Sequence, residues 1–223
     1  MATIILADDH TLVRSGLRRL LEAYEGFGVV GEARDGREVV DLVRQGQPDL
    51  VLMDTAMPNL NGIEAARQIR SEWPDVKVLM VSMHADHQYV LEALRAGVSG
   101  YVLKDAAFDE LIEAIESVLG GKMYLSAPLR ELVVTDYVRR AQGKHTESEL
   151  EKLSSREREV LQLIGEGHSS AEIGKALFIS VRTVDTHRQH IMEKLAIRTV
   201  AGLTKFAVRH GLCSLDEPGT AKT

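Results

Sequence analysis

A chain of 223 residues is longer than one typical domain, and 44% hydrophobic with 27% charged side chains is the mixture of a folding protein, which excludes a disordered or fibrous class. No apolar run approaches the roughly 20 residues of a membrane span, and Met1 to Asp9 lacks the basic and apolar regions of a secretory leader, so a cytoplasmic protein without membrane contact is expected. The net charge of −6 is uneven: residues 1–125 hold 12 basic and 20 acidic side chains, residues 151–210 hold 10 and 7. That asymmetry is the one expected of a regulatory unit joined to a nucleic-acid binder, although charge alone leaves a chance imbalance equally open. The single Cys213 has no internal disulfide partner, which agrees with a reducing compartment.

In chain order, short β-branched runs at Thr3–Ala7, Val29–Ala33, Leu50–Met53, Val78–Val81 and Gly100–Leu103 read as strands. Between them, Thr11–Tyr24, Gly36–Gln45, Gly62–Ser71, His87–Arg95 and Phe108–Leu119 space apolar residues three and four apart, as helices covering a sheet do. The expected fold is therefore α/β, a doubly wound five-stranded parallel sheet, with ligands beyond the carboxyl ends of the strands. After Gly120-Gly121 the alternation stops. Ser126-Ala127-Pro128 opens a helix over Leu129–Arg140 that reads as part of a linker, followed by a polar joint at Ala141–Glu149. Beyond Leu153 the pattern is helical only. Ser154 and Glu157 form a capping box before Arg156–Ile164, Ser169 or Ser170 caps Ala171–Phe178, Ser180 caps Val181–Leu195, and Thr199–His210 follows.

Strand 1 ends in Asp8-Asp9, strand 3 in Asp54, strand 4 in Ser82 and strand 5 in Lys104, which places three carboxylates and one ammonium at one edge of the sheet. Crowded carboxylates need a cation, and an all-oxygen site suits Mg2+. A carboxylate beside that ion is a nucleophile toward phosphorus, so Asp54 is expected to accept a phosphoryl group. Asp8 and Asp9 then help hold the metal, while Lys104 and the Ser82 hydroxyl contact the phosphoryl oxygens. Singly, each residue has a plainer role: a helix cap, a surface lysine, a strand end. Four independent placements at one edge favour the site.

Asp8-Asp9, Met53-Asp54-Thr55-Ala56-Met57-Pro58 with Gly62, Ser82, and Tyr101-Val102-Leu103-Lys104 resemble the response-regulator receiver pattern over about residues 1–122. The resemblance implies Asp9 and Asp54 as direct Mg2+ ligands with the Ala56 backbone carbonyl, Asp8 acting mainly through water, and a sensor histidine kinase as phosphoryl donor. It also implies a switch in which Ser82 moves toward the phosphate while Tyr101 turns inward. Where receivers commonly have proline after the lysine, this chain has Asp105, a pairing that occurs in the NarL/FixJ subfamily.

The run from Leu153 to Leu161, with Glu172-Ile173, Leu177, Ile179-Ser180, Thr183-Val184, His187, Ile191 and Lys194-Leu195, resembles the LuxR-type helix-turn-helix of that subfamily over about sixty residues. Val184, Ile191 and Leu195 recur at helical spacing and should pack inward, leaving Arg182, Asp185, Thr186, Gln189 and Glu193 outward. Arg182, Thr183 and Arg188 are then phosphate contacts on double-stranded DNA, and Thr186 and Gln189 face base edges. Asp185 stands where relatives often carry lysine. It either accepts from a cytosine, repels phosphate, or is drawn aside by Arg182 or Arg188. Val200, Leu203 and Ala207 share one face of the last helix, as core or, by the resemblance, as a contact in a homodimer formed on phosphorylation.

The implied organisation is a receiver at 1–122, a linker with a helix at 123–149, a helix-turn-helix domain at 150–212 and a tail at 213–223. The expected role is a phosphoacceptor that regulates transcription and is not an enzyme beyond self-limited phosphoryl transfer and autodephosphorylation. Two other classes compete. An aspartyl-phosphate hydrolase would usually carry a second aspartate two positions after the nucleophile, where this chain has Ala56. A receiver used as a protein-interaction module would not bind DNA in a salt-dependent way.

Overall fold

The computed structural model describes residues 1–142 and 149–213, so most of the polar joint and nearly all of the tail lie outside the described residues. The chain divides into two compact units, Met1–Thr146 and Glu147–Thr223. In the first, the strands β1 (Ala2–Ala7), β2 (Phe27–Ala33), β3 (Leu50–Met53), β4 (Lys77–Ser82), β5 (Gly100–Leu103) and β6 (Tyr124–Leu125) form one parallel sheet in the order β2-β1-β3-β4-β5-β6. The helices α1 (Thr11–Glu22), α2 (Gly36–Gly46), α3 (Gly62–Glu72), α4 (His87–Arg95) and α5 (Phe108–Leu119) alternate with the strands.

Side chains alternate across a strand, and the core follows that period. Ile5, Ala7, Val51, Met53, Val78, Met80 and Tyr101 pack against Val39 and Val43 of α2, Ala66 and Ile69 of α3, and Val90 and Ala93 of α4. Their neighbours Ile4, Leu6, Leu50, Leu52, Leu79, Val81 and Val102 face Leu21 of α1 and Leu111, Ile115 and Val118 of α5. Each fully buried aliphatic side chain here contributes roughly 1.5–3 kcal/mol over its exposed state. Burial on both faces is why the strands read as unbroken apolar runs.

The sixth strand departs from the five-stranded expectation. Tyr124–Leu125 has only two residues and so no readable period, yet it pairs with Gly100 and Tyr101 and extends the sheet. Helix α6 (Ala127–Ala141), read from sequence as part of a linker, places Leu129, Leu132 and Val133 on the first unit's core, and the Ser126 hydroxyl before it donates to Glu110 at 2.6 Å.

The second unit opens with a short 3-10 helix, Glu149–Lys152, and continues with α7 (Ser155–Gly165), α8 (Ser170–Leu177), α9 (Val181–Leu195) and α10 (Val200–Arg209). Ser154 and Glu157 form the expected capping box, Ser169 and Glu172 form a second, and Ser180 caps α9 through Thr183 N–H. Val160, Leu161, Ile173, Leu177, Val184, Ile191, Leu195, Leu203 and Phe206 make a separate core.

Candidate functional site

β1 is hydrogen-bonded to both β2 and β3, so successive connections leave it in opposite directions and a crevice opens beyond the carboxyl ends of β1 and β3. The strand ladder continues into that crevice: Asp8 N–H donates to Ala33 at 3.1 Å and Asp54 N–H to Ala7 at 2.8 Å. This fixes two buried carboxylates side by side. Lys104, leaving β5, donates from Nζ to Asp54 Oδ2 at 2.7 Å and lies 2.8 Å from Asp8 Oδ2. Asp54 Oδ1 accepts from Thr55 N–H at 2.7 Å, and Asp8 Oδ1 from His10 N–H at 2.8 Å. Gly62, at the start of α3, packs so close to the Asp54 carbonyl oxygen that a Cβ there would lie 1.8 Å from it, so only glycine closes this loop.

Burial, the largest influence, pushes the Asp54 carboxyl above its ordinary value, against the pull of the Lys104 ammonium. Burial would lower Lys104, but the Asp54 and Asp8 carboxylates outweigh it and keep the ammonium charged. One ammonium does not balance three carboxylates. Ligand atoms of Asp8, Asp9, His10 and Asp54 gather within 4.8 Å of one another. Asp9 Oδ1 is buried and accepts no hydrogen bond; His10 Nδ1 approaches to 2.7 Å without its N–H being aimed along the contact. An orphaned carboxylate oxygen in an oxygen-rich, net negative cluster fits a hard divalent cation.

Behind the carboxylates lies a hydroxyl network. Ser82 and Thr55 are fully buried and share a 2.5 Å hydrogen bond in which either can donate; Ser82 Oγ also accepts from His84 N–H at 3.1 Å. Tyr101 sits inward, donating to the His84 carbonyl at 2.8 Å, and burial pushes its phenol well above the ordinary value. The sequence reading brings Asp8, Asp9, Asp54, Ser82, Tyr101 and Lys104 to this edge, and Ala56 follows in the same loop. It missed His10 and Thr55. The signal for both was adjacency: each is a polar side chain next to an aspartate at the end of an apolar strand.

In the second unit, Val184, Ile191 and Leu195 face the core, while Arg182, Thr183, Thr186 and Gln189 are exposed along α9. Thr186 donates to the Arg182 carbonyl at 2.9 Å and Gln189 to Glu193 at 3.0 Å. Asp185 is not free: Arg188 lies 2.9 Å away, and Ser170 Oγ, at the start of α8, donates to it at 3.0 Å while accepting from Arg188 at 3.1 Å. The dimer face read from α10 needs correction. Leu203 and Ala207 are 0% exposed within the helical core, where α10 packs on α7, and of the three only Val200, 49% exposed, is on the surface.

Residues 4–116 match the response regulator receiver domain, and residues 151–207 match the bacterial regulatory proteins of the luxR family. The chain belongs to the NarL/FixJ family of two-component response regulators. It is 37% identical to the response regulator UvrY of Escherichia coli K12 over 216 residues, 97% of this chain and 98% of that one. A LuxR-family two-component response regulator from Aurantimonas sp. SI85-9A1 matches 62% of this regulator and 99% of its own chain at 40% identity, with a TM-score of 0.59. RcsB from Salmonella enterica serovar Typhimurium, bound to promoter rprA with the phosphomimetic BeF3−, covers 92% of this regulator and 98% of its own chain at 26% identity and a TM-score of 0.56. The regulator is thus a transcriptional one, with a receiver domain followed by a LuxR-type DNA-binding domain. Among the described residues, no helix is long and apolar enough to cross a membrane.

Proposed function

We propose that this response regulator is switched by phosphorylation of Asp54 by a sensor histidine kinase, and that the modified form dimerises and binds double-stranded DNA through α9. The observation that carries the reading is the Lys104 ammonium held between Asp54 and Asp8 at 2.7 and 2.8 Å, beside a buried Asp9 oxygen that accepts no well-aligned hydrogen bond. Mg2+ would be held by Asp9, Asp54 and the Ala56 backbone carbonyl, with Asp8 nearby, and supplies neutralisation of the charge on the transferred phosphoryl oxygens. An Asp54 carboxylate oxygen attacks phosphorus as the bond to the donor's leaving atom breaks and the electron pair departs with that atom. Lys104 stabilises the incoming oxygens, and the Ser82 hydroxyl donates to one of them once the group is in place. Loss of the phosphoryl group to water ends the signal, so the chain is a timed phosphoacceptor.

On the DNA side, the exposed Arg182 and Thr183 and the half-buried Arg188 serve phosphate contacts, while Thr186 and Gln189 face base edges. A single short recognition helix binds modestly, and two half-sites on a dimer multiply the affinity. The related RcsB has been solved as two dimers on two parallel DNAs, which supports that arrangement here.

The test is labelling with acetyl phosphate and Mg2+ followed by intact-mass analysis. One phosphoryl group is expected on the wild type and none on Asp54→Asn; undiminished labelling of that variant overturns the assignment.

A further inference from the structure

Asp54 Oδ1 is taken by Thr55 N–H and Oδ2 by Lys104, and neither receives a hydrogen bond from Ser82. The Ser82 hydroxyl is instead held from two directions, by His84 N–H at 3.1 Å and by the Thr55 hydroxyl at 2.5 Å. A serine hydroxyl has one proton and two acceptor sites, so these two bonds use most of its capacity. Tyr101 is already inside, bonded to the His84 carbonyl. In this arrangement the ring is inward while the Ser82 hydroxyl is still committed elsewhere.

Building on the proposed phosphorylation of Asp54, we infer that Thr55 is a positioning residue that latches Ser82 away from the phosphoryl group and so sets how readily this receiver switches. In its present place the Ser82 hydroxyl reaches neither Asp54 oxygen, so donating to a phosphoryl oxygen carries it off the Thr55 hydroxyl. The Thr55 hydroxyl, fully buried, then loses its 2.5 Å bond to Ser82 and keeps only the neighbouring Tyr101 phenol. A side chain without a hydroxyl at position 55 removes the resting bond and takes no contact from the phosphoryl group. The latch therefore acts on one side of the equilibrium only, and its removal favours the switched state by about tenfold, the factor carried by one ordinary buried hydrogen bond.

The experiment titrates the full-length protein with beryllofluoride in the presence of Mg2+ and follows the bound fluoride by 19F NMR. Thr55→Val, which keeps the branched shape, is expected to half-saturate at about one tenth of the wild-type concentration. Thr55→Ser, which keeps the hydroxyl, is expected to match the wild type. Introduced into Ser82→Ala, Thr55→Val should change nothing, because the group it releases is gone. Should Thr55→Val fold poorly, Thr55→Ala carries the same expectation. Unchanged or weaker binding by the hydroxyl-free variants, or the same gain in the Ser82→Ala background, overturns the latch while leaving Asp54 as acceptor. Wild-type-like binding by Asp54→Asn would instead overturn the phosphoacceptor reading, and the latch with it.

Discussion

At the scale of single residues, Asp185 shows how a neighbour changes the meaning of a charge. Read along the helix, a carboxylate among Arg182, Thr186 and Arg188 meets a base, repels the DNA backbone, or is drawn aside by one of the arginines. Folded, it sits 2.9 Å from Arg188 and accepts from Ser170, so on the proposed reading it competes with DNA phosphate for the Arg188 guanidinium. Asp185→Ala is expected to tighten binding to specific and random DNA alike. The slope of log K against log salt should steepen by about one unit as Arg188 becomes available. Titrations of both DNA types at several salt concentrations measure this, and a weaker, less selective Asp185→Ala protein would mean that Asp185 reads a base.

At the scale of elements, the N-terminus of α7 is tied to the C-terminal turn of α9. Glu157 closes the capping box with Ser154 and also accepts from Lys194 Nζ at 2.9 and 2.6 Å. Burial would raise the Glu157 carboxyl, but Lys194 and Ser154 outweigh it and hold it below its ordinary value. A depressed folded pKa contributes stability that is present above the unfolded value, near 4.5, and is lost as pH falls through the folded one. Acid titration of thermal stability should therefore show the helical unit weakening below about pH 4.5. Glu157→Gln retains a capping side chain but drops the ion pair. It is expected to cost about 1 kcal/mol at neutral pH and to flatten that acid dependence. Melting curves of the two proteins across pH 3–7 decide it.

At the scale of the whole molecule, residues 1–125 carry 12 basic and 20 acidic side chains, whereas residues 151–210 carry 10 and 7. Charge of that distribution predicts that unphosphorylated full-length protein binds DNA more weakly than the unit from Glu147 onward, with the difference shrinking as salt rises past the roughly 8–10 Å screening length of physiological buffer. Equal binding by the two at low salt would remove electrostatic shielding as a mechanism. Phosphorylation is also expected to convert monomer to dimer in sedimentation. An unchanged monomer that still binds DNA tightly would remove dimerisation from the activation step.

The sequence by itself determined the α/β order, both hydrophobic periods, the Ser154 capping box and the gathering of Asp8, Asp9, Asp54, Ser82 and Lys104, because strand ends are local features and a parallel sheet brings them to one edge. What it left open depended on distant neighbours. Whether Leu203 and Ala207 were interface or core turned on how α10 packs against the other helices of its unit, which periodicity does not report. Tyr124–Leu125 became a strand only because Gly100 and Tyr101 lie beside it. The Asp185–Arg188 pair was one of the readings open in the sequence, but the Ser170 hydroxyl that bridges it comes from another helix. Thr55 lies 27 residues from Ser82 in the chain and 2.5 Å from it in the fold; its place beside Asp54 is legible in the sequence, but the hydrogen bond across two strand ends is not.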